Sequence, residues 1–240
     1  MGFLLGIPMN IIEVLVVTLS WSLIIYLMYY FYQKQEVKPK IWKVCIALLG
    51  GFFTLDFNFP ILNTLIKMPI LPLGVWMLYW YASSREGAWD KYRRFAWLGF
   101  SANFIFIAAI ILSIFLHSAA YPKSNISTYI AHYEEAVIIQ LHPSAAEVVF
   151  DKESFDLLLP SFEEEQLDAV DWYNDMLFLE SHERVELFPY YLSGTTPKWG
   201  SGLLIMIYVE KDGKGVLIDS VDKQRYFRSH ESLLKGGNNE

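Results

Sequence analysis

Residues 95–117 read FAWLGFSANFIFIAAIILSIFLH, with no formal charge before the closing His117. An α-helix rises about 1.5 Å per residue and a bilayer's hydrocarbon core is roughly 30 Å thick. A stretch this long and apolar therefore predicts a membrane-crossing helix. Working outward, residues 10–32 (NIIEVLVVTLSWSLIIYLMYYFY) make a second such stretch, with Glu13 its only charge. A cleavable signal peptide fits poorly there. No basic segment precedes the stretch, its apolar run is too long, and no small-residue cleavage site follows.

Between them, residues 41–81 are apolar but interrupted by Asp56, Asn58, Pro60, Asn63, Lys67, Pro69 and Pro72. Proline and asparagine disfavour helix continuation, so the expected arrangement is two short spans, 41–59 and 64–81, with a tight polar turn between them. A single span with a re-entrant loop is the competing arrangement. The first is an α-helical membrane bundle of about four transmembrane helices over residues 1–118.

Charge orients the bundle. Residues 1–117 hold nine Lys and Arg against five Asp and Glu, a balance of +4; the remainder hold ten against twenty-one, a balance of −11. The total of −7 describes neither part. Eight of the nine basic residues fall in two segments, Lys34, Lys38, Lys40 and Lys43, then Arg85, Lys91, Arg93 and Arg94. Cytoplasmic loops carry an excess of Lys and Arg. Loops 33–43 and 82–94 are therefore expected in the cytoplasm, and the N-terminus and the C-terminal domain outside, in a multi-pass cell-membrane protein. Aromatic residues agree. Tyr26, Tyr29, Tyr30 and Tyr32, and Trp76, Tyr79, Trp80 and Tyr81, crowd the expected cytoplasmic ends, where amphipathic rings sit at headgroup level.

Past His117 the composition turns polar, and residues 119–240 are expected to form an acidic, extracytoplasmic α+β domain. Ile126, Tyr129, Ile130 and Tyr133 follow the helical i, i+3, i+4, i+7 spacing. Ala136–Leu141 predicts a buried strand. Ser161 and Glu164 spell a capping box, predicting a helix to about Leu179. Val185–Tyr191 predicts a strand interrupted by Pro189. Leu203–Val209 and Val216–Ser220, flanking a Lys- and Gly-rich turn, predict a β-hairpin near the C-terminus. The one cysteine, Cys45, lies in the membrane half, so the domain folds on its core rather than on disulfides.

Chemistry is sparse. The sequence has no HExxH, GxSxG, phosphate-loop or calcium-loop motif, and no paired cysteines. Ser220 and Lys223 share the SxxK spelling without its companion motifs, and the histidines lack metal-ligand spacing. No cofactor is expected. An acidic domain also lacks the basic footprint of a nucleic-acid binder. Two polar groupings remain as candidate sites. Glu13, Asp56 and His117 lie near the expected outer ends of their spans, where ionisable groups are costly. Glu164, Asp168, Asp171 and Asp175 line one side of the expected helix as an acidic face. Ser101 and Asn103 lie deeper and fit interhelical hydrogen bonding. The partners expected are the lipid bilayer and an envelope or membrane protein. The function expected is a non-catalytic sensing, regulatory or accessory role, with a transport or export component and a membrane-anchored enzyme as alternatives.

Overall fold

The computed structural model describes residues 10–61, 64–85, 87–143, 145–167, 186–221 and 223–236. They fall into two compact units: residues 12–116, and residues 117–236 together with residues 10 and 11.

The first unit contains two helices long and apolar enough to cross a membrane, α1 (Ile11–Gln33) and α4 (Ala88–Ala120), the latter running on into the second unit. Both leave most of their apolar surface open. Only 17% and 28% of their most apolar windows are buried, with Leu15, Leu19, Ile25, Leu112 and Phe115 exposed. The core helix of a water-soluble protein would hide these side chains.

Two further helical spans are not what lies between. Residues 41–83 form α2 (Ile41–Gly51), the strands β1 (Leu55–Ile61) and β2 (Thr64–Leu71), and α3 (Leu73–Ser83). The expected helical spans 41–59 and 64–81 are thus each cut short. An 11-residue helix rises about 16 Å, roughly half the hydrocarbon thickness. Its depth can be read from packing. Phe52, which ends α2, meets Trp21 near the middle of α1 and Phe106 near the middle of α4, with ring centroids 5.9 and 6.1 Å away.

Of the expected polar cluster, Asp56, Asn58, Pro60, Lys67 and Pro69 lie in the ladder itself rather than in a turn, and Asn63 lies outside the described residues. Asp56, Asn58 and Pro60 alternate with Phe57 and Phe59, the period-two pattern of a strand. Phe57 pairs with Met68 and Phe59 with Ile66 on one face; Asn58 pairs with Lys67 and Asp56 with Pro69 on the other. Pro60 and Pro69 occupy pairs of the same phase. Proline has no N–H to exchange, so this is the phase whose backbone groups point out of the ladder. Neither proline costs the hairpin an internal hydrogen bond.

Glycines bring the helices together. A Cβ on Gly51 would lie 2.1 Å from the Ala96 carbonyl oxygen, and one on Gly99 2.0 Å from that of Leu48. Gly74 approaches the Gly50 carbonyl more closely still, and its N–H donates to the Phe53 carbonyl at 2.8 Å. Small residues that let helix backbones touch characterise packing in lipid, where no hydrophobic force presses helices together. Around these contacts Ile24, Leu48, Leu98 and Ala102 form one buried cluster, and Val44, Ala47 and Phe95 another.

The second unit is an α+β domain. Its six-stranded antiparallel sheet has the order β3 (Val137–Gln140), β6 (Tyr190–Ser193), β7 (Ile205–Val209), β8 (Gly215–Ser220), β9 (Arg225–Arg228), β5 (Glu163–Glu165). A two-stranded ladder of β4 (Val148–Phe150) and β10 (Leu234–Gly236) and the helix α5 (Lys152–Leu158) complete it. Tyr190, Leu192, Ile207, Val209, Val216, Ile218 and Phe227 form the sheet's side of the core; Ile126, Ile130, Phe155 and Leu233 pack over them. The expected hairpin is β7–β8, paired from Ile205↔Ser220 to Val209↔Val216. Its turn uses Gly213 at φ 71°, where glycine pays no steric cost.

Four expectations change. Ile126, Tyr129 and Ile130 are buried as their spacing implies, but only Ile126–Thr128 is helical, as one 3₁₀ turn. β3 is a strand, yet an edge strand with Val137 and Ile139 exposed. The capping box does not open a helix. Ser161 Oγ donates back to the Leu158 carbonyl at 2.7 Å, and Glu164 lies in β5 opposite Phe227. Strand β6 starts directly after Pro189, which marks its beginning rather than an interruption.

Candidate functional site

The two edges of the large sheet differ in chemistry. β5 is three consecutive glutamates, all exposed, with Glu164 paired to Arg225. Charge on an edge strand discourages further pairing, so this edge is guarded. β3, Val137-Ile138-Ile139-Gln140, carries no charge and no proline. Its hydrogen-bond phase is fixed by Leu141 N–H, which donates to the Pro189 carbonyl at 2.8 Å. Alternation then assigns Val137 and Ile139 to the bonds with β6 and turns the N–H and C=O of Ile138 and Gln140 outward. Among the described residues, no strand pairs with that outer side.

Side chains beside this edge extend it into a surface. Ile139 pairs with Tyr191, Tyr191 with Tyr208, Tyr208 with Leu217 and Leu217 with Tyr226, so one row crosses the sheet's outer face. The Tyr191 and Tyr208 rings lie 5.9 Å apart. Near the row Val137 is 58% exposed and Met206 54%. Solvated faces of antiparallel sheets ordinarily alternate to polar residues, and this one does not at its β3 end.

Toward β9 the face becomes polar and rigid. Arg228 binds Glu210 and Asp212 and donates to the Tyr226 hydroxyl at 2.8 Å; Tyr226 in turn donates to Glu210. Burial and the Glu210 carboxylate push the Tyr226 phenol well above its ordinary range, and its partners hold Arg228 protonated. Every member binds another, which leaves the network structural.

The candidate residues from sequence find varied settings. Asp56 accepts from its neighbour Thr54 Oγ1. His117 Nε2 lies 2.8 Å from the Ser201 carbonyl oxygen; a carbonyl only accepts, so Nε2 carries the proton. This belongs to a clamp around Lys198–Gly202. Tyr121 donates to the Trp199 carbonyl at 3.0 Å, Ile11 N–H donates to the Gly200 carbonyl at 3.1 Å, and Asn10 bridges to Ser201. Sequence reasoning missed the clamp, although the Gly200 and Gly202 pair was its visible signal: both sit at positive φ. Glu13 lies in the first turn of α1. Of the expected acidic face, Glu164 lies on β5, not on a helix; Asp168, Asp171 and Asp175 lie outside the described residues.

Ser220 Oγ donates to the Lys223 carbonyl at 2.6 Å and accepts from the Lys223 N–H, a turn rather than a nucleophile–base pair. Among the described residues, no three His, Cys, Asp or Glu side chains converge as metal ligands. No protein family, curated protein or solved structure matches the chain.

Proposed function

We propose that the chain is a membrane-anchored accessory or regulatory protein whose C-terminal domain binds an extended segment of an envelope protein along β3. The observation that carries this reading is the contrast between the two sheet edges. One is blocked by three glutamates, and the other presents outward-facing backbone groups beside exposed Val137, Ile139 and Met206. Strand addition draws affinity from main-chain hydrogen bonds and specificity from alternate side chains, and this edge supplies both.

The anchor is the pair α1 and α4, with exposed aliphatic surface suited to acyl chains. The orientation proposed from charge does not depend on the two middle segments being helical spans. Whether residues 41–83 cross twice or enter and return, segments 33–43 and 82–94 share one side, and the C-terminal domain takes the other.

A photo-crosslinking residue at Val137 in the full chain tests the reading, with the same residue at Glu163 as control. Adducts from Val137 should map to one extended segment of a single protein, and Gln140→Pro should abolish them while leaving the β6 ladder intact. Equal adducts from both edges, or no effect of the proline, would remove the proposal.

A further inference from the structure

Where α2 begins, α3 ends and α4 begins, the first unit encloses a cavity of about 300 Å³. Its floor is apolar, made by Ala47, Leu78 and Ala96, and its mouth carries Lys43 and Arg85 among aromatic rings. Both cations lie against aromatic rings. Arg85 lies 4.8 Å from the Tyr81 ring centroid and donates to the hydroxyl of that same tyrosine at 2.9 Å, and Lys43 lies 5.4 Å from the Trp42 ring. Among the described residues, neither makes an ion pair. Trp89, stacked edge-on against Tyr79 at 5.2 Å, adds an indole to the wall.

A dry floor under two cations and indole and phenol rings fits a ligand with an anionic head and an apolar tail. We propose that this cavity binds a phospholipid of net negative charge, its head between Lys43 and Arg85 and the start of an acyl chain against Leu78 and Ala96. Two features of the setting fit the same ligand. The cavity belongs to the end of the bundle that carries the basic loops, where anionic headgroups concentrate. Its volume also suits a headgroup and the first carbons of a chain, not a whole lipid, so the remaining chain lies along the exposed helix surface. Basic pockets between transmembrane helices on the cytoplasmic side are a recurrent setting for such headgroups. The inference rests on the proposed membrane anchoring of α1 and α4.

Native mass spectrometry of the full chain in detergent, titrated with phosphatidylglycerol or phosphatidylcholine, provides the test. Phosphatidylglycerol should be retained preferentially, and the double variant Lys43→Gln, Arg85→Gln should weaken that retention by about tenfold or more. Enlarging the floor residue Ala96→Leu should weaken it with the cations in place. Equal retention of the two lipids, or retention unchanged in the double variant, would overturn the proposal. So would displacement of the lipid by inorganic phosphate at matched concentration, which would reduce the site to a phosphate site. Alkaline-wash flotation of the same preparations with liposomes separates the two readings. A chain that floats but does not discriminate lipids contradicts the cavity alone, whereas one that fails to float contradicts the anchoring.

Discussion

Asp151 shows how a single side chain ties two elements of the domain. It caps α5 by accepting from Ser154 N–H at 3.2 Å and pairs with Lys235 of β10 at 2.8 Å. The Lys235 ammonium and then the Ser154 hydroxyl hold its carboxyl down at about 2, and Lys235 is raised in return. A carboxyl lowered on folding stabilises the fold above its unfolded value, near 3.9, and that stabilisation drains away as pH falls through about 2. Lys235 works in the opposite sense, favouring the fold below its unfolded value, near 10.4, and losing that effect as pH rises past its folded value. Asp151→Asn keeps a capping side chain but removes the charge. Acid-unfolding curves of the full chain should therefore lose pH dependence between about 4 and 2 in this variant; an unchanged curve would exclude the pair as its source.

Tyr133 offers a spectroscopic check at the same scale. Its hydroxyl donates to Asp156, and that bond, with burial, lifts the phenol to about 12. Asp156→Asn should return one tyrosine to the ordinary range near 10 in an ultraviolet titration. No change in the number of tyrosines ionising by pH 11 would contradict the contact. His117 was legible in the sequence as an unusual polar residue at a span end, but its partner was not. Ser201 lies 84 positions away, and no periodicity links them. His117→Phe should cost about 0.5–1.5 kcal/mol by losing one hydrogen bond, read as a lower melting temperature.

At the scale of elements, the glycine contacts decide how α2, α3 and α4 pack. Because the atoms facing Gly51 and Gly99 are backbone, no rotamer change relieves a new Cβ. Gly99→Ala should destabilise the bundle by about 1–3 kcal/mol, measured by thermal unfolding in detergent, while Gly236→Ala, where an added Cβ meets nothing within 4 Å and φ is not in the left-handed region, should cost less. Equal losses at the two positions would mean the helices do not touch there. The same region separates legible from illegible sequence. Long apolar runs identify α1 and α4 because length and hydropathy suffice. The hairpin at Leu55–Leu71 was hidden because total hydropathy there resembles a span; only the alternation of Asp56, Asn58 and Pro60 with Phe57 and Phe59 distinguishes it. β5 was misread for a related reason. Ser161 and Glu164 satisfy the capping pattern, but pairing with β9 and the Arg225 contact override that local preference.

For the whole molecule, charge and hydropathy divide the chain near residue 117, and the structural units divide there as well. The division follows from solvent. The first half exposes Leu, Ile and Trp that water would reject, whereas the second buries a conventional core beneath a sheet. What the sequence could not convey is which sheet edge is open, because edge status depends on long-range strand order. Val137–Gln140 reads as a buried strand until its place at the end of the sheet is known.

The central claim is that an anchored bundle holds this domain on the far side of the membrane from the basic loops. Single cysteines at exposed Ser84 and at Val221, which is 85% exposed, in a Cys45→Ala background allow a direct test with an impermeant thiol reagent on intact cells. The account predicts labelling at position 221 and protection at position 84 until the membrane is opened. Labelling at 84 with protection at 221 would contradict it and place the β3 edge among cytoplasmic partners.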